Sequence, residues 1–372
     1  MDQEVPIKIF SVIVAFVVTV VVIKLLHPLA FRFGWVDKPD ARKLHDGATP
    51  LTGGVAMLCG IVAAILVSGT FSVRYPMVSA MAALCFLGAI DDVRHIPAWL
   101  RLILQTAFVT FVCEWRGLYL ANLGDLFGTG FPVVLSHGVG LFLQVFCIIG
   151  IINAINMIDG VDGLSGGMLV VALLGLMLLI SHTSGPLLMP PVFAAAIGGY
   201  LCFNMRGPLR KKAAVFMGDS GSTMMGFAVT WLVASYNYHH VAEGFSPAVC
   251  LWLFAIPVFD TASLIFSRGM RGQSPFKADR DHVHHILMRA GLSDRQVTIV
   301  LVLAAGILAA TGIGGWMLHA PDCVLFYGFL LLFAIYFYCV HHKCQVIKLF
   351  QRFGKFRHMV PEAIDCPPTS EM

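Results

Sequence analysis

Charge is what this sequence has least of. Asp, Glu, Lys and Arg make up 12% of its 372 residues, while 58% are hydrophobic and the mean hydropathy is +0.81. Soluble globular chains carry roughly twice that share of charge, so an ordinary soluble domain is excluded. The surplus of 25 Lys and Arg over 21 Asp and Glu is too small to mark a nucleic-acid binder, and no nucleic acid is expected as a partner. Ten cysteines are present, but none forms a CxxC pair or a metal-ligand spacing. A disulfide framework and a structural zinc site are therefore not expected, and the thiols read as small packing residues. The first apolar run follows MDQEV, which lacks a basic n-region, and no small-residue cleavage site follows it. That run reads as a membrane helix rather than a signal peptide. Repeats of 20 to 50 residues, low-complexity tracts and interdomain linkers are also missing. One membrane-embedded domain over residues 1–358 is expected, with a disordered polar tail at 359–372 that ends in PEAIDCPPTSEM.

What is there instead is a succession of long apolar runs. Stretches of a length able to cross a bilayer, roughly 17 to 25 residues, fall at 7–26, 51–69, 74–90, 98–115, 137–158, 163–181, 187–204, 215–234, 246–266, 296–318 and 322–340. The expected fold is an all-α, polytopic integral membrane protein with about eleven transmembrane helices. Of the 25 Lys and Arg residues, only Lys8, Arg74 and Arg116 fall on the side of the N-terminus. Basic residues accumulate on the cytoplasmic side, so the N-terminus is expected outside, in the periplasm, and the C-terminus in the cytoplasm. Cytoplasmic loops are then expected at about 27–50, 91–97, 159–162, 205–214 and 267–295.

On that topology nearly every chemically capable side chain is cytoplasmic. Asp91 and Asp92 end the third run, IINAINMIDGVDGLSGG closes the fifth, FMGDSGS opens the eighth, and SPFKADRDHVHH follows the ninth, which carries Asp260. Ionisable groups near membrane depth are costly and are functional by default. Asn153, Asn156, Asp159 and Asp162 recur every third residue, so on an unbroken helix they would drift about 60° per step and fail to converge. Gly160 and Gly163 are suited to breaking that helix after Asp159 and letting the groups face a cavity. A plain polar turn would account for the Asp-Gly pairs but not for two Asn residues inside an apolar run.

FMGDSGS places Asp219 at a helix start, where free amides and the helix dipole favour anions; Asp219 could also simply cap that helix. Asp91 with Asp92 and Asp159 with Asp162 would repel unless a cation or a proton lay between them. Hard oxygen donors of this kind suit Mg²⁺ beside a phosphate. His282, His284 and His285 stand near Arg268, Arg271, Lys277, Arg280 and Arg289, without HExxH or cysteine, so phosphate binding suits them better than a transition metal. A basic loop held by lipid headgroups is the plainer alternative. Arg42, Lys43 and His45, in DKPDARKLHDGATPLTGG, have the same two readings.

Taken in order from about Asp37 to Gly291, the RKLH loop, DD, NAINMIDGVDGL, FMGDSGS and HVHHILMRAG resemble the polyprenyl-phosphate N-acetylhexosamine-1-phosphate transferase superfamily, the glycosyltransferase 4 family. HVHH followed by ILMRAG is most similar to the branch that makes undecaprenyl-diphospho-N-acetylglucosamine; the lipid-carrier enzymes of peptidoglycan synthesis have a triple-His segment there. Relatives often carry a further Asp where this chain has His95, which leaves Asp91 and Asp92 intact. The resemblance implies that undecaprenyl phosphate attacks UDP-N-acetylglucosamine and releases UMP, as the first membrane step of lipopolysaccharide O-antigen or a related surface polysaccharide. It implies a bacterial inner-membrane enzyme with its active site on the cytoplasmic face, among membrane lipids, with a homodimer allowed.

The cofactor so implied is Mg²⁺, with Mn²⁺ as a substitute. Asp219 and Asn156 would ligate the ion, with Asp91 and Asp92 near the ion and the attacking lipid phosphate. Asp159 and Asp162 would line the nucleotide-sugar pocket or act in catalysis. Arg101 would hold the lipid phosphate and Phe216 would stack on uracil. Lys43, His45, Asn153, Arg268, Arg271, His282, His284 and His285 would complete the substrate contacts. Direct attack by the lipid phosphate and a phospho-enzyme route both remain open. A secondary transporter is the rival from another class, since intramembrane Asn and Asp also build ion sites. Its site should lie near mid-membrane between repeated halves, whereas these groups gather at one face.

Overall fold

The computed structural model describes residues 4–37, 47–182, 188–206, 212–239, 245–274 and 281–342. The N-terminal part comprises α1 (Glu4–Phe33), β1 (Val36–Asp37), β2 (Thr49–Pro50), α2 (Gly53–Val67), α3 (Phe71–Arg94) and α4 (Ala98–Arg116). It continues through α5 (His137–Ile158), α6 (Leu164–Ser181), α7 (Met189–Asn204) and α8 (Gly218–His239). The last part holds α9 (Pro247–Leu253), α10 (Ala255–Met270), α11 (Val283–Arg289), α12 (Asp294–Met317) and α13 (Asp322–His341). β1 and β2 form a short antiparallel pair, the only named strands among the described residues.

Each apolar run read from the sequence contains a helix, and six helices are each long and apolar enough to cross a membrane: α1, α3, α5, α6, α12 and α13. The chain is a multi-pass helical membrane protein. Three boundaries differ from expectation. Helix α1 does not stop near residue 26 but continues through Pro28 to Phe33, so part of the expected loop is helical. The run at 246–266 is not one helix: α9 and α10 meet at Phe254 with an 84° bend. The eighth helix starts at Gly218, and residues 215–217 run extended beside β2 and the start of α2. There the Phe216 amide donates to the Pro50 carbonyl at 2.9 Å, and the Gly53 amide donates to the Phe216 carbonyl at 3.1 Å. The tail at 343–372 and the loop centre at 38–46, with Lys43 and His45, lie outside the described residues.

Helix α8 is the hub, packing against α3, α5, α2, α6 and α7. It is not among those six helices, because Asp219, Ser220, Ser222, Thr223 and Thr230 interrupt it, yet the four hydroxyl residues are buried. Wrapping by other helices keeps those hydroxyls away from lipid, and they also satisfy themselves locally. Ser222 donates to the Gly218 carbonyl at 3.0 Å and Thr230 to the Gly226 carbonyl at 2.7 Å. Small residues let the backbones close in, as is usual where helices pack inside a bilayer. A side chain at Gly88 of α3 would strike the Asp219 carbonyl and the Ser220 amide; one at Gly54 of α2 would strike the Gly221 amide. At Gly226 it would meet Ile152 Cα of α5 at 3.0 Å.

This packing separates two glycines that look alike in the sequence. Gly88→Ala forces α3 off α8 and should cost about 1–3 kcal/mol, the scale of overpacking. Gly150→Ala, on α5 with open space around it, should be neutral or stabilising by up to about 1 kcal/mol. Thermal melting in detergent checks the pair; equal melting temperatures would contradict the assigned seam.

Candidate active site

The polar groups collect where α3 ends and α4, α6 and α8 begin. The consecutive Asp91 and Asp92 diverge rather than acting as a pair. Asp91 is buried, forms an ion pair with Arg101 of α4, and accepts from the Ile96 amide at 2.6 Å. Asp92 turns to the first turn of α8, where the Asp219 amide donates to its Oδ1 at 2.7 Å and the Ser220 amide to its Oδ2 at 3.3 Å. The anion expected at this helix start is therefore the protein's own Asp92. Asp219, which could have been the cap, is free of that task and points to Arg101 and Asn156. Arg101 donates to Asp219 Oδ2 at 3.2 Å, and Asn156 Nδ2 donates to Asp219 Oδ1 at 2.6 Å and to Ser222 Oγ at 2.9 Å. Gly218 makes this possible: its φ of +70° turns the chain into α8, and a Cβ there would lie 2.7 Å from Asp92 Oδ2.

The end of the fifth run also behaves as its glycines suggest. Helix α5 ends at Ile158, Asp159 follows as its C-cap, and Gly163 with φ +77° leads into α6. Asp159 accepts a hydrogen bond from Ser165, whose oxygen also lies 3.9 Å from the Met217 sulfur just before α8. Burial pushes the Asp159 carboxyl up to about 7; the Ser165 hydrogen bond opposes this and the charges of Asp219 and Asp162 add to it. Asp162 pairs with Arg206, which also meets Asp294 at 2.7 Å, and the Asp162 carbonyl accepts from Thr298 at 2.9 Å. Asn204 holds the turn from below, accepting from the Gly163 amide at 2.6 Å and donating to the Val215 carbonyl at 3.0 Å. The expected repulsion between carboxylates is thus relieved in part by Arg101 and Arg206.

Not every expected residue joins. Asn153 turns back on α5, donating to the Ile149 carbonyl at 2.8 Å, with Gln105 of α4 at 3.5 Å. Phe216 is half-buried, its backbone held by β2 and α2. The histidine motif is largely internal, with His282 and His284 buried and His285 half-buried. His282 Nδ1 donates to Asp260 Oδ2 at 2.7 Å, while Asp260 Oδ1 accepts from the Val283 amide at 2.9 Å and the Tyr336 hydroxyl at 3.0 Å. His284 is buried, with no partner on Nδ1, and its Nε2 lies 2.8 Å from where a Cβ of Gly160 would be. Its burial, with the His285 and His282 rings behind it, holds its pKa down to about 3 against the pull of Asp260. His285 is half-buried against the His284 ring, at 4.3 Å between centroids. Arg268 is buried at the end of α10, and Arg271 is exposed, 3.7 Å from Asp281.

Ser165, Asn204, Arg206, Ser222 and Asp294 were not singled out in the sequence. Asn204 and Arg206 had a visible signal, polar residues closing an apolar run. For a divalent cation the donor chemistry fits: Asp91 and Asp219 supply carboxylates, and Asn156, donating through its NH₂, has a carbonyl oxygen to offer.

The family model described as glycosyl transferase family 4 matches residues 74–237. An undecaprenyl-phosphate alpha-N-acetylglucosaminyl 1-phosphate transferase of Salmonella typhi is 36% identical over 341 residues, 91% of this chain and 92% of that protein. Proteins of the same name from Yersinia pestis and Haemophilus influenzae are 35% and 33% identical, over 88% and 93% of this chain and 90% and 97% of theirs.

The raised Asp159 has a consequence for stability. The folded protein holds its proton up to pH about 7, whereas an unfolded Asp releases it near pH about 3.9. Its stabilising contribution is full below the lower value and is lost as pH rises through the higher one. Asp159→Asn should therefore gain on the wild type in melting temperature between pH 4 and pH 7 and hold a constant lead above pH 8. Melting both in detergent across that range is the check, and a pH-independent difference would count against the assignment.

Proposed function

The chain belongs to glycosyl transferase family 4, and from that premise we propose that it transfers N-acetylglucosamine 1-phosphate from UDP-N-acetylglucosamine to undecaprenyl phosphate. The observation that carries this reading is the convergence of Asp91, Arg101, Asn156 and Asp219, from four helices, at one end of the bundle. In the reaction a lipid phosphate oxygen bonds to the β-phosphorus of the nucleotide sugar as the bond to the α-phosphate oxygen breaks. UMP leaves with that electron pair, and undecaprenyl-diphospho-N-acetylglucosamine remains. The lipid phosphate is already largely ionised near neutral pH, which favours direct attack over a phospho-enzyme.

Asp219 and Asn156, with Asp91, would hold Mg²⁺ or Mn²⁺. Asp92 orients the set through the Asp219 amide. The ion would supply neutralisation of the charge that builds on the diphosphate oxygens. Arg101, already between two carboxylates, lies where a lipid phosphate would meet a guanidinium. Asp159 and Asp162, at the turn between α5 and α6, would face the nucleotide sugar. The buried histidines would act from behind, packing on Gly160 of that turn. Eleven crossings, a periplasmic N-terminus, an active site on the cytoplasmic face of a bacterial inner membrane and a place at the start of O-antigen or related polysaccharide synthesis complete the proposal. The distribution of Lys and Arg described above supports the orientation, and the apolar runs support the crossings.

Purified protein given UDP-N-acetylglucosamine, undecaprenyl phosphate and Mg²⁺ should release UMP, and excess EDTA should stop it. Transport of intact UDP-sugar into vesicles without UMP would favour the transporter reading. Asp219→Asn should lower kcat roughly a hundredfold or more, the scale of losing one preorganised electrostatic group, with little change in melting temperature. Full turnover in EDTA, or by that variant, would sink the metal assignment.

A further inference from the structure

Helices α3, α4 and α8 carry the active-site groups at one end and line a cavity at the other. The cavity, of about 250 Å³, is bounded by Arg74 and Met77 at the start of α3, Arg116 at the end of α4, and Trp231, Leu232 and Tyr236 late in α8. Along α3 it lies roughly 25 Å from Asp91. Only three of the 25 Lys and Arg residues were assigned to this side of the membrane, and two of them meet here.

Among the described residues neither arginine pairs with a carboxylate. Arg74 donates from Nε to Thr70 Oγ1 at 3.2 Å. The described acids of this end are engaged elsewhere. Glu114 faces His137 at 3.7 Å, Asp125 accepts from the Thr129 and Gly130 amides, and Asp322 accepts from the Asp125 amide. Two guanidinium groups line one cavity, with the Tyr236 phenol beside Arg74, and planar guanidinium forks suit phosphate oxygens. Next in sequence to the two arginines, Tyr75 and Trp115 are both exposed and in edge contact at 5.1 Å, as suits aromatics at headgroup depth. A volume somewhat below the roughly 300–1,000 Å³ of drug-sized sites admits a headgroup but not a whole lipid.

We propose that this cavity binds the phosphodiester of an anionic phospholipid, in the leaflet opposite the active-site end, with Arg74 and Arg116 taking its oxygens. Apolar surface from Val73, Met77 and Leu232 would meet the glycerol and the first acyl carbons. Basic pockets between membrane helices bind acidic headgroups in this way.

The test is native mass spectrometry of the full-length detergent-solubilised protein titrated with phosphatidylglycerol or phosphatidylcholine. The double variant R74Q/R116Q should lose phosphatidylglycerol affinity roughly tenfold or more, the scale of a lost charge-assisted hydrogen bond, and leave phosphatidylcholine binding unchanged. K8Q, altering the third outer cation, should behave as wild type. UMP release by the double variant should stay within about twofold of wild type, since these residues touch no reacting group; if the double variant does not fold, R116Q alone gives the same comparison. Equal retention of phosphatidylglycerol by wild type and variant would overturn the site. Thermal stabilisation by inorganic phosphate as large as that by phosphatidylglycerol would overturn the lipid assignment in favour of a free anion. Absence of transferase activity in the wild type would bear on the proposed reaction and not on this site.

Discussion

The Asp92 carboxylate reaches the first amides of α8 because α3 and α8 touch backbone to backbone at Gly88. A helix start inside a membrane protein has unpaired N–H groups and a positive dipole end, both costly to leave without an anion. By filling that position from a neighbouring helix, the protein satisfies the start of α8 and frees Asp219, the first acidic residue of that helix, to face Arg101 and Asn156. The site is thus assembled from contacts between helix ends, each fixed by the packing of the spans below.

Charge management follows the same plan. Carboxylates crowded at membrane depth raise one another's energy, and the chain answers each with a different device. Arg101 sits between Asp91 and Asp219, Arg206 bridges Asp162 and Asp294, and burial makes Asp159 retain its proton more readily despite the Ser165 hydrogen bond. Burial holds His284 neutral, and Asp260 anchors the histidine motif between α10 and α13. His284 also packs against the turn at Gly160.

Much of this was legible in the sequence, and for physical reasons. Apolar runs must become helices in a bilayer because no other segment satisfies its own backbone there, and the glycines at 160 and 163 mark the end of α5. The gathering of Asp91, Asn156 and Asp219 at one side was indicated by their positions at helix ends, whereas Arg101 entered only through the family resemblance. What could not be read was the partner of each group. Periodicity does not say that Asp92 caps α8 while Asp91 pairs with Arg101, because adjacent residues differ by about 100° around a helix. Burial of His282 and His284 was hidden because their sequence neighbours are polar, and the bend at Phe254 because its residues are uniformly apolar.

Gly88 and Asp92 are one helical turn apart, on the same face of α3. The close approach and the cap are therefore in phase. An insertion or deletion of one residue between them would swing Asp92 by about 100° and leave the amides of α8 facing nothing. Loss of both small side chain and carboxylate would be felt as a single defect, since each is of use only through the other. Positions 88 and 92 behave as one mechanical unit, and chain length between them is as constrained as either residue.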